Sequence, residues 1–393
     1  MKKYLLIYLL FTIGLRIYSQ SNYSLHSDFP GGNISIEKIS GDTIFMKPDL
    51  RDTESEWFYW YFAINNGKNR TLIFKFTRKN VFTDVGPAIS MDKGVTWEWM
   101  GDKAVSANSF SYTFNGNDEV RFSMALPYTQ VHFDNFFSTI EKDLLVKKES
   151  LCISKKGRAV EKILIGETYK KVVNKVVITA RHHACEMTAN YIMEGMMDAI
   201  VKDPSLHWLR ENVLLMFIPF VDKDGVEDGD QGKLRRPRDH NRDYIDSSIY
   251  NETDALRKLL PDWIKGSSAV AIDLHCPWIR GNHNEDIYIV GSKDLENTNE
   301  QVRFLEIINR QLKVENKSFP VVYLPYGKDW NVATSFTKGR SFGSYTIEEL
   351  NTLLSCTFEF PYAVYSGIQV APNDYRKLGK TIAISLQEYL KKK

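Results

Sequence analysis

The sequence predicts a chain in two parts. An all-β sandwich comes first. An α/β unit follows, with a mixed, mostly parallel sheet and helices on both faces. Two observations carry this expectation. From about Leu145, short and nearly continuously apolar segments alternate with amphipathic helical patterns, as in a parallel sheet covered on both sides. Before that point, aromatic and β-branched runs are separated by polar turns such as Asn65-Asn66-Gly67 and Asn115-Gly116-Asn117, which is the pattern of a sandwich. The expected organisation is an export signal at residues 1–20, the sandwich at 21–144 and the α/β unit at 145–393.

Within the first part, the expected strands are Glu56–Ile64, Thr71–Phe76, Val95–Met100, Phe110–Phe114 and Glu119–Leu126. Their aromatics are assigned to a core. In the second part, the expected strands are Ser150–Ser154, Lys162–Gly166, Val173–Thr179, Val213–Pro219, Ala269–Leu274, Ile287–Val290 and Ser355–Phe360. The expected helices are Glu186–Val201, Glu252–Ile264, Asn299–Leu312 and Asp374–Lys391.

Residues 1–20 read as a secretory signal: Lys2 and Lys3, an apolar Tyr4–Leu15, and Ser19 before Gln20. The apolar run is short for a membrane span. The expectation is therefore an exported protein, periplasmic or secreted, with no stable membrane insertion after signal removal. The 393 residues carry a net charge of only +2, which argues against a nucleic-acid partner held by bulk charge. Cys152, Cys185, Cys276 and Cys356 are spaced neither as a disulfide scaffold nor as a Cys-rich metal site, and read as small buried hydrophobes. A Cys276–Cys356 bridge is compatible with an oxidising compartment.

The chemistry centres on Lys175–Glu186, KVVITARHHACE. A β-branched strand breaks there into polar residues before a helix. His183 and Glu186 are three apart, so on one turn they face the same way and suit a single metal ion. The competing reading is a capped helix start with a first-turn acid. A third ligand should come from another element. His275, ending the strand AVAIDLH, is the choice, with Asp273 two residues earlier as its support. His182 is the alternative ligand on the first segment. The loop 218–244 holds Arg235, Arg236, Arg238, Asn241 and Arg242, a density suited to a carboxylate. Glu359 is a lone acid in an apolar strand, either a general base or half of a buried ion pair. His183, His275 and Glu359 all fall at strand carboxyl ends, where ligand sites of such sheets lie.

These motifs resemble, in order, those of the M14 metallopeptidase family of zinc carboxypeptidases. They are the HxxE of His183 and Glu186, the stretch Pro219 to Val226, the DxNR of Asp239, Asn241 and Arg242, the DLH ending at His275 and the TFE ending at Glu359. The front half adds Phe122–Phe137 with its PYT and the SxxGR after Ser154, which resemble the cytosolic-carboxypeptidase-like subfamily and its N-terminal β-sandwich domain. The resemblance implies one zinc ion per chain on His183, Glu186 and His275, and Glu359 as general base for a zinc-activated water. It implies Asn241 and Arg242 as holders of a substrate's C-terminal carboxylate, with Asp239 behind His183. Arg235 or Arg236 is expected to polarise the scissile carbonyl, and Tyr345 to close over the substrate. Lys338 and Arg340 suggest an acidic C-terminal residue. The implied substrate is a peptide or protein C-terminus. The alternatives are a zinc deacylase of small acylated amino acids and a non-catalytic protein binding peptides or cell-wall fragments.

Overall fold

The computed structural model describes residues 23–116, 118–167, 172–314, 320–336 and 338–393. The stretch read as an export signal lies outside these residues. No described helix is long and apolar enough to cross a membrane.

An eight-stranded mixed sheet forms the frame. Its order is Val146–Ile153, Ala159–Ile165, Val213–Ile218, Asn174–Ala180, Ser268–His275, Leu354–Glu359, Tyr288–Val290 and Val322–Leu324. The four strands in the middle are mutually parallel. Their carboxyl ends therefore gather at one edge, and the register sets His275 beside Glu359.

The side-chain period of two explains why these strands are apolar throughout. Val176, Ile178, Ala180, Val270, Ile272 and Leu274 face the larger core. Val177, Met216, Ile218 and Ala271 face a second one that holds Leu256, Leu260, Tyr244, Phe342 and Tyr345. Helices Thr188–Lys202 and Pro372–Lys391 pack closely on the larger-core side. A Cβ at Gly195 would lie 2.0 Å from the Arg376 carbonyl oxygen, and one at Gly379 2.1 Å from that of Ile192. Only glycine permits that approach.

The front of the chain builds two five-stranded sheets around an aromatic core that includes Trp60, Phe62, Phe74, Phe110 and Phe122. Three expected strands are shorter than the sequence pattern suggests, one of them Val120–Ser123 in place of Glu119–Leu126. Tyr61–Asn65 replaces Glu56–Ile64, because Trp57 and Phe58 leave the sheet to pack on Trp278 of the larger unit. Only Glu98–Trp99 pairs within Val95–Met100. A helix not expected from the sequence, Gln130–Phe137, starts where Thr129 and His132 close a capping box.

Candidate metal centre

Asn174–Ala180 ends abruptly. Arg181 adopts a positive φ of 62°, unusual for a residue with a side chain. Its buried guanidinium secures the turn by donating to the carbonyl of Tyr128, to the Asn190 side chain (both 2.8 Å) and to the Ala184 carbonyl. The helix begins only at Thr188, so His182 to Met187 form an irregular turn at the strand's carboxyl end.

That turn brings together the three expected ligands. His183 Nδ1 lies 2.9 Å from Glu186 Oε1, His275 Nδ1 2.7 Å from Glu186 Oε2, and the two Nδ1 atoms are 3.2 Å apart. Both rings turn the same atom inward. Their outer nitrogens face carboxylates: His275 Nε2 is 2.7 Å from Asp273 Oδ2, and His183 Nε2 is 3.7 Å from Asp239 Oδ1. All five side chains are buried. Tetrahedral bonds of 2.0–2.1 Å would set neighbouring ligand atoms about 3.3 Å apart, and a carboxylate behind each imidazole is the usual support of a metal-binding histidine. The donor set thus fits a zinc ion. His182 does not join it. Its Nδ1 meets Asp273 Oδ1 at 2.8 Å and its Nε2 meets the Tyr244 hydroxyl at 2.7 Å, so both nitrogens are already engaged.

The electrostatics follow from this crowding. Burial alone would raise the pKa of Glu186, but His183, Lys233 and His275 hold it well below the usual range. Burial lowers that of His275, and Asp273 and Glu186 more than reverse it. Asp273 is likewise held low by His182 and His275 against the effect of burial. Glu359 goes the other way. Burial pushes it up to about 7, against the pull of His275. Its Oε2 has no hydrogen-bond partner among the described residues, and neither does the hydroxyl of Tyr288, the residue directly opposite on the next strand.

Asn241 and Arg242 flank the group. The Asn241 side-chain oxygen accepts from the Phe342 N–H at 2.9 Å, and its Nδ2 lies 3.2 Å from His275 Nε2. Arg242 is anchored through the carbonyls of Asn241 and Ser335, at 2.8 and 2.9 Å. Burial lowers the pKa of its guanidinium, and the charge of Asp239 counteracts this. A separate groove of about 990 Å³, lined by Trp97, His132, Glu194 and Arg376 among others, contains none of these residues.

Residues 137–276 match the model of the Peptidase_M14 family, described as zinc carboxypeptidase. The chain is similar to this family over that stretch. It is 26% identical over 257 residues to mouse cytosolic carboxypeptidase 3, covering 55% of this chain and 25% of that protein. Against mouse cytosolic carboxypeptidase 6 it is 24% identical over 249 residues, covering 56% and 46%. The chain thus matches between a quarter and just under half the length of these relatives. A metallo-carboxypeptidase from Burkholderia cenocepacia superposes with a TM-score of 0.76 over 95% of this chain and 100% of its own, at 18% identity. One from Pseudomonas aeruginosa does so at 0.72 over 93% and 99%, at 17% identity. These two solved structures establish the fold, including the strand-rich front.

Several expected residues sit away from the metal group. Arg235 is enclosed by Asp52, Asp222 and Asp230, at 2.9, 2.6 and 2.9 Å. Three carboxylates enclose its guanidinium, one on each nitrogen, and hold it away from the metal group. Arg236 is exposed and pairs with Glu54. Tyr345 is packed in the second core, its hydroxyl donating to the Arg257 carbonyl at 3.1 Å, so it does not close over the metal group. Lys338 pairs with Glu54, and Arg340 with Glu348 and Glu349, which answers both charges within the chain. All four cysteines are free. The sequence reading missed Lys233, whose Nζ lies 3.0 Å from Glu186 Oε1. Burial lowers its pKa, but Glu186 and Glu359 raise it further. A lone lysine in a charged loop carries no signal of this placement.

Proposed function

We propose that the chain hydrolyses the C-terminal peptide bond of peptides or proteins. The observation that carries this is the convergence of His183, Glu186 and His275 near Glu359, whose Oε2 has no hydrogen-bond partner among the described residues, with half-buried Arg242 following Asn241. A zinc ion held by the three ligands would supply Lewis acidity, acidifying a water near neutral pH and polarising the peptide carbonyl. Asp273 and Asp239 keep the imidazoles oriented with Nδ1 inward. Glu359 takes the proton of the attacking water at Oε2, and its elevated pKa lets it return that proton to the leaving amine. Arg242, with the amide of Asn241, holds the substrate's terminal carboxylate and so restricts cutting to chain ends. In this reading residues 145–393 form the catalytic domain and 21–144 a separate β-sandwich. Export rests on residues 1–20 alone, whereas the named relatives are cytosolic. The test is zinc content together with cleavage of a mixed peptide set. Release of single C-terminal residues supports the proposal, and internal cleavage or none sinks it.

A further inference from the structure

The loop from Gly229 to Arg235 is held from outside the eight-stranded sheet. Asp52 Oδ1 accepts from the Gln231 N–H, and its Oδ2 accepts from the Gly232 N–H and from Arg235 Nε, at 2.8 to 3.0 Å. Buried Gln231 is fastened to the backbone of Tyr59 through both ends of its amide. Asn33 donates to the Gly229 carbonyl at 2.7 Å. The loop in turn lies on the metal-group turn. The Cys185 N–H donates to the Gln231 carbonyl. Gly232 has φ +75°, and a Cβ there would come 2.0 Å from the Ala184 nitrogen. Only glycine fits this contact, and it aims the next residue, Lys233, at the metal group.

Lys233 is mostly buried, with its ammonium 3.0 Å from Glu186 Oε1 and 5.3 Å from the centre of the Trp57 ring. An ammonium has three N–H donors. Among the described residues, Glu186 is the acceptor it reaches, which leaves donors for a ligand. Arg235 in this loop and Arg236 just after it are spent on other carboxylates. A preorganised cation in a site closed to water is most effective where negative charge develops during reaction.

We propose that Lys233 is the cationic donor to the reacting carbonyl oxygen of the substrate, and that Asp52 of the strand-rich front is the positioning residue that delivers it. This rests on the metallopeptidase reading above. It gives the front region a catalytic purpose, since Asp52, Gln231 and Gly232 fix the loop through backbone contacts rather than by touching substrate. Arg235 acts in the same clamp.

The experiment uses the full zinc-loaded chain and a peptide phosphinate as the probe, because its tetrahedral phosphorus with anionic oxygen resembles the tetrahedral carbon and the charge that develops on the carbonyl oxygen. Calorimetric Kd, zinc content and kcat and KM are measured for the unmodified chain, Lys233→Met, Lys233→Arg and Asp52→Asn. Lys233→Met is expected to keep its zinc and lose at least tenfold in both phosphinate affinity and kcat, with KM changing little. Lys233→Arg should restore part of both. Asp52→Asn should shift both in the same direction by less. Should Lys233→Met fail to fold, Lys233→Gln takes its place with the same expectation. Unchanged phosphinate affinity with intact zinc overturns the proposal. So does loss of zinc with an unaltered kcat per bound ion, which would make Lys233 merely a partner of Glu186. If the unmodified chain neither binds zinc nor cleaves peptides, it is the metallopeptidase reading that has failed.

Discussion

His275 Nε2 lies 2.7 Å from Asp273 Oδ2, two residues back along the same strand. This contact commits Nε2 as a donor and turns Nδ1 towards Glu186. Asp273→Asn should therefore weaken zinc binding by about 10–100-fold without removing a ligand. Competition with a chelator of known affinity measures this, and an unchanged affinity would show that the ring is oriented by something else.

The ligands themselves should behave differently. His183→Ala, Glu186→Ala and His275→Ala should each fail to retain zinc. A ligand that binds only the folded state at 1,000 times its Kd adds about 4 kcal/mol of stability. The unmodified chain should thus melt at a higher temperature with zinc than with a chelator, and the three variants should show little of that difference. Calorimetry in both conditions checks it.

Glu359→Gln should keep zinc and the fold but lose about 10²–10⁴-fold in kcat, since only the proton carrier is removed. A general base works in its ionised form, and burial holds Glu359 at about 7. The rate of the unmodified chain should therefore fall as pH drops below about 7, and this acidic limb should vanish from the residual rate of the variant. A pH–rate profile of both decides the matter.

His132 supplies a stability prediction away from the centre. The Thr129 N–H donates to its Nδ1 at 3.1 Å, so Nε2 carries the proton that meets the Gly94 carbonyl at 3.1 Å. Burial depresses its pKa from 6.5 to about 4. Between those values the unfolded chain binds the proton and the folded chain does not. This contribution to stability is therefore fully present above about pH 6.5 and is lost as pH falls from there to about 4. The full shift corresponds to about 3 kcal/mol, which partial exposure of the ring cuts to about 1–2. Melting temperatures across this range should depend less on pH in His132→Gln.

The metal group was legible because its residues sit on the strongest local patterns. His183 and His275 each follow a run of β-branched and apolar residues, and such runs predict strands whose ends gather at one edge. The assignments that the structure places away from the metal group share a physical cause. A sequence displays how many arginines a loop holds but not which acids reach them. Asp52 reaches Arg235 from 183 residues away. Tyr345 was indistinguishable from a substrate-facing tyrosine until its helix was seen packed against Tyr244. Lys233 was hidden for the reverse reason, since its aim depends on Gly232 lying flat on Ala184, a contact with no local signature. Helix Gln130–Phe137 was passed over because Phe133 and Phe137, its buried residues, fall in a stretch rich in aromatics that reads as strand.

Arg242 yields the prediction that bears most directly on where the enzyme cuts. Its guanidinium donates to the Asn241 and Ser335 carbonyls, and the charge of Asp239 acts on it. A substrate's free α-carboxylate would supply an opposite charge at close range, and a charge-assisted contact of this kind is worth about 1.5–3 kcal/mol. Amidating the peptide's C-terminus removes that charge and adds an N–H donor facing another donor. At about 1.4 kcal/mol per factor of ten, the amide should lose at least tenfold in kcat/KM. Arg242→Ala should lower activity on the free acid while affecting the amide much less, because the amide never made the contact. The cycle therefore needs one peptide in both forms and both versions of the enzyme. Non-additive losses place the carboxylate at Arg242. Equal cleavage of acid and amide by the unmodified enzyme would mean that chain ends are not what it recognises, and the carboxypeptidase reading would give way to an endopeptidase or a deacylase.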